Sequence, residues 1–175
     1  MQKLNTGYYK TFAAFSFMLM ISSCSNTKFL QEGQMLYTGA KITVKNDTLS
    51  KKEKSNLKDA LQEQLRPKPN SSFLGLRPRL YVYNITKEPK KQKGIGYWLK
   101  YKIGEKPVLL GDVDREFNKK IIVNYSENKG FFNAKASSDT IAKNKKAQVL
   151  YTVKPGARYL ISQVNFPVDS TVINS

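Results

Sequence analysis

Two places in this chain carry residue types that could do chemistry. Asp112, Asp114 and Glu116 stand at alternate positions. Paired carboxylates act as general acid and base, or cleave glycosides when held ~5–9 Å apart across a cleft. Acids at that density also suit the start of a helix, where the dipole and free N–H groups attract them. The second place is Cys24, the single cysteine. With one cysteine there is no disulfide within the chain. No histidine exists anywhere. That excludes Ser-His-Asp and Cys-His catalysis and any Cys/His metal cluster. These residues define no cofactor or metal site, and a non-enzymatic chain is expected.

The surroundings of Cys24 give it a role. Lys3 and Lys10 make a basic start, Phe12 to Ile21 an apolar centre, and Ser22-Ser23 the small residues before a cleavage point. The apolar run is shorter than the about 20 residues needed to span a bilayer core. Ile21-Ser22-Ser23-Cys24 resembles a lipobox, in which the cysteine sulfur takes a diacylglycerol and the chain is cut just before it. The other reading is an ordinary secretory signal followed by a free thiol. Cleavage before Cys24 leaves 152 of the 175 residues, enough for one ordinary domain or two small ones. The net charge falls from +17 to +15 because Lys3 and Lys10 leave with the leader.

So basic a chain suits nucleic acid, an anionic membrane surface, or plain solvation. An exported, lipid-tethered chain rarely meets nucleic acid, so that partner is not expected. Lys51-Lys52, Lys90-Lys91, Lys119-Lys120 and Lys145-Lys146 are spread along the chain, which favours scattered solvating residues over one basic tract.

The elements that would position these groups are read from periodicity. Residues 24–39 are polar, contain Gly33 and Gly39, and read as a tether. Lys41 to Lys45 alternates as a strand. Ser50 and Glu53 have capping-box spacing, and Leu57, Leu61 and Leu65 form a helical stripe ended by Pro67 and Pro69. Leu80-Tyr81-Val82-Tyr83 reads as a strand, 87–104 as a connector, and Val108-Leu109-Leu110 as another strand. Asp112 is placed to cap a second helix with Val113, Phe117, Ile121 and Tyr125 on one face, closed by Lys129-Gly130. Phe131 to Ser137, then Ala147 to Val153 and Tyr159 to Phe166, complete the strands. The expected class is α+β, with helices on one face of a short sheet. Two small units would each be marginal in burial and would support each other.

Three segments together resemble a family. Asn128-Lys129-Gly130-Phe131-Phe132-Asn133-Ala134-Lys135, then Ala147 to Gly156, then Tyr159 to Phe166, resembles the POTRA repeat, with its glycine-aromatic step, alternating strand and Pro-Gly turn. Gly75 to Asn84 and Gly104 to Leu110 are similar to the lipoprotein branch of the BamA/TamA outer-membrane assembly family of Bacteroidetes-type bacteria. Cys24-Ser25-Asn26-Thr27-Lys28-Phe29-Leu30-Gln31-Glu32-Gly33 resembles that branch's lipidated start.

The resemblance implies tandem POTRA-like units, short mixed sheets with helices on one face, after a lipoprotein signal peptide at 1–23 and the tether at 24–39. The units are expected at 40–86 and 105–157, joined by the connector, with a further unit begun at 158–175. It also implies a scaffold that holds unfolded outer-membrane proteins or assembly subunits by adding a strand to a sheet edge. The edge matching the family's is Phe131, Phe132, Asn133, Ala134, Lys135, Ala136 and Ser137. Acyl chains on Cys24 would hold the module to the bilayer, and Ser25 leans its placement toward the outer membrane, with the soluble part in the periplasm. Family members continue into a membrane β-barrel of many ~10-residue alternating segments. The chain is therefore expected to be an N-terminal fragment or a free-standing module. The alternative function is a lipoprotein that binds anionic envelope surfaces through a basic face.

Overall fold

A computed structural model describes residues 26–165. The leader, Cys24 and residues 166–175 lie outside the described residues. The elements in chain order are β1 (Leu36–Val44), α1 (Lys51–Gln64), α2 (Pro78–Ile85), α3 (Ile95–Trp98), α4 (Arg115–Asn128), β2 (Lys135–Lys143) and β3 (Lys146–Lys154). The three strands form one sheet in the order β1-β3-β2. β1 runs parallel to β3, with Ile42 beside Tyr151 and Val44 beside Val153. β2 runs antiparallel to β3. The class is mixed α+β.

α1 forms where its cap and stripe place it. The Ser50 hydroxyl accepts from Glu53 N–H at 3.3 Å, and the Glu53 carboxylate accepts from Ser50 N–H at 3.0 Å. These two bonds satisfy donors that a helix start leaves free. Leu57, Leu61 and Leu65 are buried. They join Tyr37, Ile42, Ile122, Val149, Tyr151 and Val153 in the main core, between the helices and one sheet face. In β3, Ala147, Val149, Tyr151 and Val153 all point into this core, as the alternation predicts.

α4 starts two residues later than its expected cap. Asp114, not Asp112, is the cap residue, accepting from Phe117 N–H at 2.9 Å. Asp112 instead accepts from Leu109 N–H at 2.8 Å and closes a single 3-10 turn, Leu110–Asp112. The buried stripe of α4 is Asn118, Ile122 and Ser126, while Phe117 is 54% exposed. Polar residues can occupy that stripe because each is paired. Ser126 donates to Ile122 C=O at 2.7 Å. Asn118 accepts from Arg66 N–H at 3.0 Å and donates to Arg66 C=O at 2.6 Å. Arg66 directly follows the C-cap of α1, so one buried amide ties the end of one helix to the first turn of the other.

Several expected strands take other forms. Leu80-Tyr81-Val82-Tyr83 is helical, within α2. Pro78 sits at its first turn, where a missing N–H is harmless, and Leu80 is fully buried against Leu30 and Leu36. Val108-Leu109-Leu110 is not a strand but crosses β1 at a single bridge, Leu36 to Leu109. Residues 159–165 carry no regular structure. The connector at 87–104 contains α3 and a π turn, Leu99–Ile103. Tyr97 packs on Tyr101 there (ring centroids 5.0 Å apart), and the Lys100 ammonium lies 3.1 Å from Glu88 and 4.8 Å from the Tyr83 ring centre. The tether at 24–39 is also partly built in, because Leu30 and Leu36 are buried and β1 begins at Leu36. The segments 40–86 and 105–157 do not hold a sheet each. β1 comes from the N-terminal side and pairs with β3 from the C-terminal side, so both share one sheet.

Replacing Asn118 by alanine is expected to destabilise the fold by about 1–3 kcal/mol, since it strands the part-buried N–H and C=O of Arg66, which water reaches only partly. Urea unfolding should show a lower midpoint with an unchanged slope, whereas Asn124→Ala on the exposed side of α4 should change neither.

Candidate functional site

The carboxylates come first because they carry the catalytic alternative. Asp112 and Asp114 cap turns, and Glu116 pairs with Lys119 at 2.8 Å. All three residues are exposed. Their positions are accounted for by the start of α4.

The expected edge, Phe131 to Ser137, divides in two. Only Lys135, Ala136 and Ser137 lie in β2. Phe131 to Ala134 form the turn that brings the chain from α4 to the sheet. Gly130 has φ +89° and ends the helix, and its N–H donates to Glu127 C=O. A side chain at Gly130 would meet the Tyr159 carbonyl oxygen at 2.6 Å. Phe131 is buried, and its N–H donates to Ser126 C=O at 3.0 Å. Phe132 is exposed and packs against the Tyr159 ring. Asn133 points its amide at the Tyr159 hydroxyl, and Ala134 is buried. This segment closes the helix and cannot offer a strand edge.

The free edge lies further along, on the outer side of β2. β2 and β3 are joined by Asn144-Lys145, with φ +53° and +56°, a two-residue turn of the primed type. The pair flanking such a turn, Lys143 and Lys146, is hydrogen-bonded, and bonded pairs alternate along the ladder. Ala136, Ser138, Thr140 and Ala142 therefore aim their main-chain groups away from β3, where no described strand pairs with them. Thr140 N–H is taken by the Asp139 carboxylate at 2.7 Å. The other edge, on β1, is partly covered: Tyr37 N–H donates to Val108 C=O, Leu110 N–H donates to Met35 C=O, and the Gln62 amide donates to Ala40 C=O at 2.8 Å.

The sheet face opposite the core shows what sequence reading missed. Partners across the ladder put Lys41, Lys135, Lys143, Lys146 and Lys154 on it, with Asp139 as the acid among them. All five lysines are exposed. Lys135 lies directly opposite Lys154, and Lys143 directly opposite Lys146. Like charges so placed repel and destabilise a sheet. Thr43, Thr152 and Ser137 form a row of hydroxyls between them. These lysines are dispersed along the chain but alternate within their strands. The alternation was the available signal, and only the pairing of β1 with β3 gathers them.

On the helical side, Leu57, Ala60, Tyr125 and Phe131 line a groove of about 310 Å3 between α1 and α4, with Glu53, Lys129 and Arg158 around it. The Ser50 hydroxyl bond is the main reason the Glu53 carboxyl titrates below its ordinary range. In the core, burial and then the nearby Tyr151 push the Tyr37 phenol up from 10.0 to about 12. Burial also raises Tyr151, whose hydroxyl has no hydrogen-bond partner. No group of three or more metal-ligating side chains occurs among the described residues, and no helix among them is long and apolar enough to cross a membrane.

Compared with family models, curated proteins and solved structures, the chain matches none.

A raised phenol pKa means that the unfolded chain loses the proton first. The contribution of Tyr37 to stability is therefore complete below pH 10 and is lost as pH rises toward 12. Phenolate absorbance is expected to show at least one of the ten tyrosines ionising only together with loss of far-ultraviolet helix signal. Tyr37→Phe should raise the pH at which the fold is lost.

Proposed function

We propose that this chain is a membrane-anchored, periplasmic binding module that acts in outer-membrane protein assembly or translocation. It belongs with the POTRA-containing lipoprotein branch of the BamA/TamA family, is placed at the outer membrane by acyl chains on Cys24, and binds rather than catalyses. Its partners are unfolded outer-membrane proteins or assembly subunits, together with the bilayer itself. The carrying observation is the outer edge of β2, where a nine-residue strand in a three-stranded mixed sheet has no neighbour on that side among the described residues. The helices α1 and α4 lie on one face of that sheet, the arrangement that the sequence resemblance implies. Main-chain pairing suits clients of varied sequence, because every residue but proline offers the same groups.

The test removes an outward donor without touching the β3 ladder. Ser138→Pro deletes one N–H from the free edge, a position where proline is tolerated in sheets. Binding of extended peptides from outer-membrane barrel strands, followed by anisotropy, is expected to weaken at least about tenfold, with unfolding shifted by less than about 1 kcal/mol. Unchanged peptide affinity in a folded Ser138→Pro protein would sink the reading.

A second reading follows from the opposed lysines of the uncovered face: binding to anionic envelope surfaces. Two directly opposed Lys pairs oppose sheet formation, and an anionic partner would relieve them. On this reading Lys143→Glu should stabilise the free protein by a few tenths of a kcal/mol while reducing its affinity for phosphatidylglycerol vesicles. That binding should fall steeply with added salt, whereas strand addition should not. Vesicle affinity that ignores both the substitution and the salt would remove this reading.

A further inference from the structure

A turn beside the first described residues carries an unexplained apolar tip. Phe73 and Leu76 close a tight turn on each other, Phe73 N–H to Leu76 C=O at 2.8 Å and the reverse at 2.9 Å. The turn residues are Leu74, φ +49°, and Gly75, φ +78°. Leu74 is 85% exposed and Phe73 is 70% exposed. A left-handed backbone favours asparagine or glycine, and an exposed turn favours polar residues. Leucine at Leu74 meets neither preference and leaves a large apolar side chain in water.

The turn is held from beneath. The Asn70 side chain, itself buried, donates to Lys106 C=O at 2.7 Å and accepts from Val108 N–H at 2.9 Å. The Ser71 hydroxyl donates to Glu105 at 2.5 Å. The apolar pair is therefore presented by a fixed support and does not fold back onto the core.

The chain's first described residues dock beside this turn. Asn26 is buried and donates from its side chain to Arg77 C=O at 3.2 Å. Arg77 directly follows the turn and is the N-cap residue of α2. Leu30 packs on Leu80 one helical turn further along. Cys24 precedes Asn26 by two residues, a reach of at most about 7 Å. An acyl chain on Cys24 would thus enter the bilayer close to Phe73 and Leu74. Lys28 and Arg79 stand exposed in the two segments that meet there, whereas the Arg77 guanidinium is half-buried and faces Glu105; exposed cations suit an anionic headgroup layer.

We infer that the Phe73-Leu74 turn is a second membrane contact, inserting into the headgroup–acyl boundary next to the anchor and fixing the orientation of the module on the bilayer. This rests on the reading of Cys24 as acylated. The two acyl chains of a diacylglycerol already hold a protein at the bilayer, and an apolar tip with flanking cations beside them adds a fixed orientation. The occupant is lipid and not protein because the turn shares its end of the molecule with the anchor.

The test uses the acylated full chain in phosphatidylethanolamine–phosphatidylglycerol vesicles. An environment-sensitive nitrobenzoxadiazole probe on Leu74→Cys is expected to show blue-shifted emission and quenching by nitroxides on the lipid tails. The same probe on Lys58→Cys, exposed on α1, should remain in water. A water-like spectrum at position 74 overturns the inference. As a second measurement, Phe73→Ser with Leu74→Ser should speed transfer of the acylated protein between vesicles by about tenfold, consistent with partial burial of two large apolar side chains. An unchanged transfer rate also overturns it. Intact mass separates the two claims. Acyl mass on Cys24 with a water-like probe defeats the tip alone, whereas a blue-shifted probe without acyl mass defeats the anchor and leaves the insertion standing.

Discussion

The parallel pairing of β1 with β3 is the constraint on which the molecule depends. A parallel pair cannot be closed by a hairpin and needs a long crossover. Here the crossover comprises residues 45–145, which hold all four described α-helices and the whole of β2. Because β3 is paired on both sides, β1 and β2 become the edges. Because α1 and α4 cover one face, the other is left to solvent. The edge, the basic face and the apolar turn are all surfaces left over after this single pairing is satisfied.

What could be read from the residues alone was local. The capping box of Ser50 and Glu53 and the stripe of Leu57, Leu61 and Leu65 lie within one helix, and α1 forms as they direct. The alternation of β3 is equally self-contained. Failures arose where distant partners decide. Leu80 to Tyr83 has strand-like composition, but Pro78 suits a helix start, and the nonlocal core of Leu30 and Leu36 takes up Leu80. The stripe of α4 runs through Asn118 and Ser126, which no hydrophobic count would choose, because Arg66 waits across the helix pair. β2 is polar at nearly every second position and beyond Ser137 carries little apolar pattern, so its edge was placed too early, on Phe131 to Ala134. The lysines were legible as charge but not as a face, since a face requires the register between β1 and β3.

The exposed surfaces differ in physics, and this gives each a distinct character. The outer edge of β2 offers main-chain groups, insensitive to salt and to the partner's side chains. Asp139 occupies one of its donors, and Lys135 and Lys143 stand at its ends, features that discourage uncontrolled edge pairing between copies. The uncovered sheet face offers charge at the expense of two repulsive pairs. The Phe73-Leu74 turn offers apolar area on a backbone held rigid from below.

The crossover also orders events in time as the polypeptide is made. Synthesis delivers β1 first, and about a hundred residues must emerge before its partner exists. During that interval Tyr37 and Ile42, later fully enclosed, have no sheet to join, whereas β2 and β3 can zip together through their two-residue turn as soon as both are out. β3 therefore arrives with its hairpin partner β2 already attached and recruits β1 from the opposite side. A nascent chain of this topology carries an open, β-branched segment while about a hundred further residues are made.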